Sequence, residues 1–577
     1  MSHHGSRAIL FSVAASTLAA CSFAPKYFPP PVPVPQTYQQ QGIWETARPA
    51  DRLSRSDWWT TFSDPTLNTL EPQVMTANPD LAAAAARFDQ ARDFAAEATA
   101  GLFPRIGLGA TATANRQSAQ RPLRGVAQPT YYSAAQAGAA ASYEFDFWGK
   151  IRNEIASRKA LTQASEADLA TMQLSLQAEL ASDYFQLRGL DADANLLADT
   201  VVAYQKAHDL TETLFKGKIV ASIDVSRAET QLDAARAQVS DIAARRALLE
   251  HAIAVLVGKP ASDFSIPVEA TPFVLPQVPT DLPSILLQRR PDIASAERAA
   301  AAANAEIGVD RAAFFPTITF DALGGFQSSG QNLFKLADAF WTLGPSVSLP
   351  LLDGGRLRAR EAGAYARFHE TSALYRSTVL AAFKEVEDNR ALLHWLGQES
   401  VDTDAGATAA ESTLSAALAL YREGATSYLE VVTAQTALLQ AQQSALDLRT
   451  RRRVADVGLI RALGGGWDRT GLTVISGSLP TGVAKPPAPQ RPLRQPPDRP
   501  VCFPAEVWEF TNCAAWLISL LSRGVGYKPS ITAGERSRAP ATAVGGDDGA
   551  ELEANRPAAL SRDLRALLRR FPDRRRL

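Results

Sequence analysis

Cysteine is nearly absent: Cys21, Cys502 and Cys513 are the only three in 577 residues. That scarcity excludes a disulfide-built scaffold and any zinc site of four thiolates. The six histidines, His3, His4, His208, His251, His369 and His394, are scattered and form no metal-binding spacing. An excess of either charge is missing too. There are 59 Lys+Arg against 60 Asp+Glu, a net charge of −1, so no basic field invites nucleic acid. No apolar run reaches about 20 residues, the length a helix needs to cross a bilayer. Any crossing must therefore be made by β-strands. No Ser-His-Asp set, HExxH or P-loop occurs, so no enzymatic activity is expected. What is present is 46% apolar residues and 21% charged residues, an ordinary globular balance.

The first 20 residues read as an address. Arg7 precedes a short apolar run, and Leu18-Ala19-Ala20-Cys21 resembles a bacterial lipobox. The resemblance implies a signal peptide over 1–20 and cleavage before Cys21. It also implies a diacylglyceryl thioether on the Cys21 sulfur and an acyl chain, such as palmitate, on its new amine. Ser22 rather than Asp follows, which by the same resemblance directs the protein to the outer membrane. Residues 21–65 begin Pro-rich and read as an acylated, extended tether.

The remainder contains one unit twice, over 66–275 and 276–467. Asn78-Pro79-Asp80-Leu81 matches Arg290-Pro291-Asp292-Ile293, and Leu102-Phe103-Pro104 matches Phe314-Phe315-Pro316, both at an offset of 212. The offset then falls to 206: Gly149-Lys150-Ile151-Arg152 matches Gly355-Arg356-Leu357-Arg358, and Asp224-Val225 matches Glu430-Val431. Each unit predicts a helix, two strands, a long helix and a second helix. Pro79 and Pro291 suit a first helical turn. After each Phe-Pro the period becomes two. Ile106, Leu108, Ala110 and Ala112 make one apolar face. Further apolar faces are Ala139, Ala141, Tyr143, Phe145 and Phe147; Ile318, Phe320 and Ala322; and Trp341, Leu343, Val347, Leu349 and Leu351. Such segments fit either a soluble sheet against a core or membrane-crossing strands. Cys21 favours the membrane. Four strands cannot close a barrel around water, so membrane strands require several chains to share one.

The helices carry a seam of period 3.5: Val225, Ala228, Leu232, Ala235, Val239 and Ile242, mirrored by Val431, Ala434, Leu438, Ala441, Ala445 and Leu448. The preceding helices, about 153–215 and 357–420, are near 60 residues, or about 90 Å of rod. Their turns, at 216–222 and 422–427, lie far from the strands. Residues 468–577 are rich in proline and arginine and read as a mostly disordered extension, in which Cys502 and Cys513 could pair.

Five motifs in order carry a family resemblance: Asp57-Trp58-Trp59, Tyr143-Glu144-Phe145-Asp146-Phe147-Trp148-Gly149-Lys150, Leu287-Gln288-Arg289-Arg290-Pro291-Asp292-Ile293, Asn304-Ala305-Glu306-Ile307-Gly308 and Gly464-Gly465-Gly466-Trp467. They resemble the TolC-like outer-membrane efflux factors, in particular the lipoprotein branch of the OprM or NodT type. The resemblance implies a mainly α fold with transmembrane β. Its form would be a homotrimer with one twelve-stranded β-barrel, four strands per chain, on a long periplasmic α-helical coiled-coil barrel. It implies an outer-membrane lipoprotein that serves as passive exit duct for drugs or toxic solutes. Its partners would be outer-membrane lipid, a periplasmic adaptor (membrane fusion) protein and an inner-membrane pump of the RND type. No cofactor beyond the acyl chains is expected. The outer component of a type I protein-secretion system and a structural coiled-coil lipoprotein are the alternatives.

For the tips, Gly217 and Gly424 would permit tight turns, with Asp224 and Glu430 just beyond. Tyr421 and Leu429 match family constriction positions and would plug the lumen. Where the family usually carries an aspartate in a Leu-Asp-Ala-Gln run, this chain has Val432-Thr433-Ala434-Gln435, so Thr433 cannot supply that carboxylate.

Overall fold

The computed structural model describes residues 22–35, 38, 57–118, 129–269, 290–329 and 333–465. Cys21, the signal peptide, Trp467 and the extension at 468–577 with Cys502 and Cys513 lie outside the described residues. In chain order the elements are α1 (Pro65–Ala77), α2 (Pro79–Ala100), β1 (Arg105–Arg116), β2 (Tyr131–Glu144), α3 (Lys150–Lys216), α4 (Ser222–Leu256), α5 (Pro291–Ala312), β3 (Thr317–Ser328), β4 (Ala339–Ser348), α6 (Arg356–Arg422) and α7 (Tyr428–Ala462). None of the described helices is long and apolar enough to cross a membrane.

The duplication is visible in element lengths. α2 and α5 are both 22 residues, α3 and α6 both 67, and α4 and α7 both 35. β1 and β3 have 12 residues each, whereas β2 has 14 and β4 only 10. β2 ends at Glu144 and β4 at Ser348, so Phe145, Phe147, Leu349 and Leu351 lie beyond the strands that the alternation predicts for them. Asp146 and Asp353 explain the early stops. Each accepts backbone N–H bonds from the first turn of the next helix, Ile151 and Arg152 for one, Leu357 for the other. Gly149 and Gly355 turn the chain into those helices at φ 74° and 86°, where a side chain is disfavoured.

The two copies solve one junction with different chemistry. Asn78 caps α2 and donates its Nδ2 to the carbonyl of Leu256, the last residue of α4, at 2.9 Å. At the matching position Arg290 donates to the carbonyl of Ala462, the last residue of α7, at 3.0 Å, and pairs with Asp292 and Glu385. In both copies the start of the short helix is thus tied to the end of the long hairpin.

α3 packs against α2, α4, α5 and α7, and α6 against α5 and α7. The largest apolar core lies at the middle of α3. Leu176, Leu180, Tyr184, Phe185 and Leu187 meet Trp58, Trp59, Phe62, Leu67, Leu70 and Val74, together with Ile253 and Leu256 at the end of α4. Trp58 and Trp59 of the Asp57-Trp58-Trp59 motif are therefore part of this core, in a short 3-10 turn that follows Asp57. Below it, the seam residues Ala228, Leu232, Ala235 and Ile242 are buried, as are Val431, Ala434, Ala445 and Leu448. Val239 is the seam position that remains exposed.

Residues 22–35 are extended, but they are bound rather than loose. Asn304 Nδ2 donates to the Pro25 carbonyl, and the Tyr27 hydroxyl donates to Glu297 at 2.8 Å, so the arm lies along α5. Twelve residues of α5 are buried against two of its twin α2, along which no arm lies among the described residues.

Candidate functional site

The four strands form one antiparallel sheet in the order β1-β2-β3-β4. The register decides which side chains share a face. Ile106 sits opposite Ala141, Ala141 opposite Ala322, and Ala322 opposite Leu343. Leu108, Ala139, Gly324 and Trp341 make the next row of that parity. One face is thus apolar from edge to edge, and in the single chain Leu108 and Trp341 are 89% and 80% exposed. Among the described residues no helix covers this face. Such a surface needs a non-aqueous neighbour.

The opposite face is small or polar: Thr111, Gln136 and Gln327 in one row, Arg105, Ser142, Asp321 and Gly344 in another, with Leu323 and Phe340 as exceptions. Ser142 Oγ donates to Asp321 Oδ1 at 2.6 Å, and Thr319 Oγ1 to Oδ2 at 2.9 Å. At its base this face borders a cleft of about 470 Å³, with Arg105, Ser142 and Thr319 on one wall and Glu97, Glu154 and Arg158 on the other. The polar strand face therefore looks toward a charged cleft with room for many waters.

The base of the sheet is closed by an aromatic stack. Phe23 lies parallel to Phe315 at 4.4 Å between centroids, Phe315 lies 4.9 Å from Trp148, and Trp148 Nε1 donates to the Pro316 carbonyl. Ser22 Oγ donates to Asn153 Oδ1 at 2.8 Å. The residue after Cys21 is thus held at the strand-to-helix junction. Trp148 was legible as part of a motif; Phe23, six residues before the Pro29-Pro30-Pro31 run, carries no periodic signal.

Halfway along α3 lies a buried ionic group that the sequence did not announce. Arg188 pairs with Asp191 at 3.0 Å, Arg246 with Asp191 at 2.7 Å and with Glu250 at 3.2 Å. Both arginines also donate to carbonyls of the segment after α4, Pro267 and Ile266. The second copy has His394 and Gly397 where the first has Arg188 and Asp191, so the duplication has diverged here.

The tips lie at the far ends of the α3–α4 and α6–α7 hairpins. Gly424 adopts φ 71°, as a tight turn requires. Gly217 does not use its freedom: its φ is −75°, and Lys218, the residue matching Gly424, takes the left-handed conformation at φ 57°. Expecting Gly217 to make the turn placed it one residue early. Both turns close alike, Ile219 N donating to Leu214 O and Ala425 N to Leu420 O.

Tyr421 is buried, against the expectation of a free plug. It packs with Tyr428 at 5.3 Å between centroids and with Ala228 and Val431, in a core joining both hairpins. Burial pushes the Tyr428 hydroxyl up to about 12 and raises that of Tyr421 as well. Leu429 is exposed, at 46%. Thr433 is exposed too, and its hydroxyl donates to the Leu429 carbonyl at 2.9 Å. Asp224 pairs with Arg227 at 3.4 Å, and Glu430 stands exposed in the first turn of α7. The structure therefore brings Tyr421 together with Asp224's hairpin and leaves Leu429, Glu430 and Thr433 on the surface.

Comparison with known proteins agrees with this architecture. The model of the family described as "Outer membrane efflux protein" matches residues 71–259 and again 282–465. The chain is 31% identical over 475 residues to the probable efflux pump outer membrane protein TtgC of Pseudomonas putida, covering 82% of this chain and 98% of that one. It is 31% identical over 466 residues to the cation efflux system protein CusC of Escherichia coli, covering 79% and 98%. Among solved structures, the outer-membrane channel OprN superposes with a TM-score of 0.70 at 31% identity, covering 78% of this chain and all of that one.

Proposed function

The chain belongs to the outer membrane efflux protein family, and from that premise we propose that three copies form a passive exit duct for drug-like or toxic solutes. It is an outer-membrane efflux channel and not an enzyme. The observation that carries the shared barrel is the sheet itself. Its apolar face runs unbroken across four strands, while the outer edges of β1 and β4 have no partner among the described residues. In lipid each unpaired backbone group costs several kcal/mol, so β4 of one copy must meet β1 of the next. Three copies give twelve strands. The apolar face then meets lipid and the Asp321 face lines water.

α3 and α6, at 67 residues and about 1.5 Å per residue, carry the conduit about 100 Å. Their tips are the parts placed to meet a periplasmic adaptor and, through it, an inner-membrane pump. Cys21 is the lipid attachment site. Ser22 and Phe23, fixed at the strand base, would set its acyl chains beside the barrel at the membrane surface. Several chains hold stably where one does not.

Purified protein in planar bilayers tests the duct. Discrete channel currents from a species of trimer mass are expected; a trimer that seals the bilayer without conducting would overturn the reading. Metabolic palmitate labelling tests the anchor: label retained in Cys21→Ser would show that Cys21 is not acylated.

A further inference from the structure

Four strands, 48 residues in all from their four lengths of 12, 14, 12 and 10, carry very few charges. Arg105, Arg116 and Glu144 occupy strand ends. Glu144 is paired with Lys150 at 3.1 Å, and Arg116 lies over the Tyr131 ring. Among the described residues, Asp321 is the one charged side chain in the interior of a strand. A charge in a membrane-crossing segment is costly unless it faces water, and where it persists it marks a solute pathway. Asp321 is on the polar face, and its carboxylate is held in place by Ser142 and Thr319 rather than by a cation. Arg105, the one other unpaired charge of its register row, is two strands away, about 10 Å at ordinary strand spacing.

Resting on the duct reading above, we propose that Asp321, one per chain and three per trimer, is the carboxylate ring that makes the barrel prefer cationic solutes. The matching position in the first copy is Gly109, so the ring has three members and not six. Twelve strands about 4.8 Å apart and tilted about 40° close at a backbone radius of about 12 Å. Three carboxylates pointing inward then act on the axis from about 9 Å, close to the Debye length of about 10 Å at 0.1 M salt. At that distance the ring raises the cation concentration on the axis about 2.5-fold and lowers that of anions as much, so the cation-to-anion ratio changes about sixfold at 0.1 M, and more at lower salt.

The experiment is the reversal potential of wild-type and Asp321→Asn trimers in a KCl gradient, with hexaamminecobalt(III) added to each side in turn. Asparagine keeps the shape and can still bond both hydroxyls, accepting from one and donating to the other. Wild type is expected to favour potassium. Asp321→Asn should lower the ratio about sixfold at 0.1 M and lose block from the extracellular side, while Arg105→Gln should raise the ratio. Asp321→Ser, which also removes the charge, must act like Asp321→Asn, and serves if the latter fails to assemble. An unchanged ratio and unchanged block in conducting Asp321→Asn or Asp321→Ser trimers overturns the proposal while leaving the duct intact. A wild-type trimer that does not conduct removes both.

Discussion

Glu71 offers a test of the core that the channel is built around. In α1 it shares the stripe of Leu67, Leu70 and Val74, and all four side chains are buried. Glu71 is fully buried, and neither carboxylate oxygen has a hydrogen-bond partner among the described residues. Desolvation pushes its carboxyl from 4.5 up to about 9. Folding at neutral pH must therefore take up a proton. Because the folded value is the higher one, the stabilising contribution is complete below about 4.5 and is lost as pH rises toward 9. The loss is about 1.4 kcal/mol per pH unit, or at most about 4 kcal/mol between pH 4.5 and 7.5. Glu71→Gln removes the proton uptake, and Glu71→Met removes the polar group as well. Both should raise the thermal midpoint of the detergent-solubilised protein, little at pH 5 and increasingly toward pH 9. The assay is the midpoint difference between variant and wild type across that range. A difference that does not change with pH would mean the side chain is not held neutral in the folded protein, and the burial argument would fail.

Strand faces should respond unequally. Phe320→Arg, on the apolar face, should cost about 2–4 kcal/mol and deplete folded trimer, whereas Thr319→Arg, on the polar face, should alter conductance with little loss; equal trimer loss on gels would contradict the register. Thr433→Asp should strengthen block by divalent or trivalent cations from the periplasmic side alone, and single-channel currents with cation added to each side would reveal a residue that does not face the pore. Phe23→Ala removes one ring of the stack with Phe315 and Trp148, worth about 0.5–1.5 kcal/mol beyond its buried area; it should loosen the arm and raise protease cleavage near residues 22–35 without changing palmitate labelling. Truncation after residue 478 should leave trimer and drug resistance intact, as measured by native gels and growth on antibiotic.

Periodicity and duplication made much of the architecture legible in the sequence. Period two after Phe103-Pro104 and Phe315-Pro316 marked β1 and β3, because a strand with water on one side and lipid on the other must alternate. Period 3.5 marked α4 and α7, because helices packed side by side need a continuous seam. The matches at offsets 212 and 206 foretold two copies whose helices are equal in length. Four strands per chain already demanded partners, since backbone polar groups cannot end in lipid. Contacts between residues far apart in the chain were another matter. Tyr421 looked like a free plug until Tyr428, Ala228 and Val431 were seen to enclose it, and aromaticity alone does not say which way a ring turns. The turn at Lys218 rather than Gly217 followed from where α3 ends, which a permissive residue permits but does not dictate. Ser142 and Asp321 are 179 residues apart and meet only because β2 pairs with β3. Register is a property of the folded sheet, and it alone turned one aspartate among many into the one charge inside the strands held by two hydroxyls.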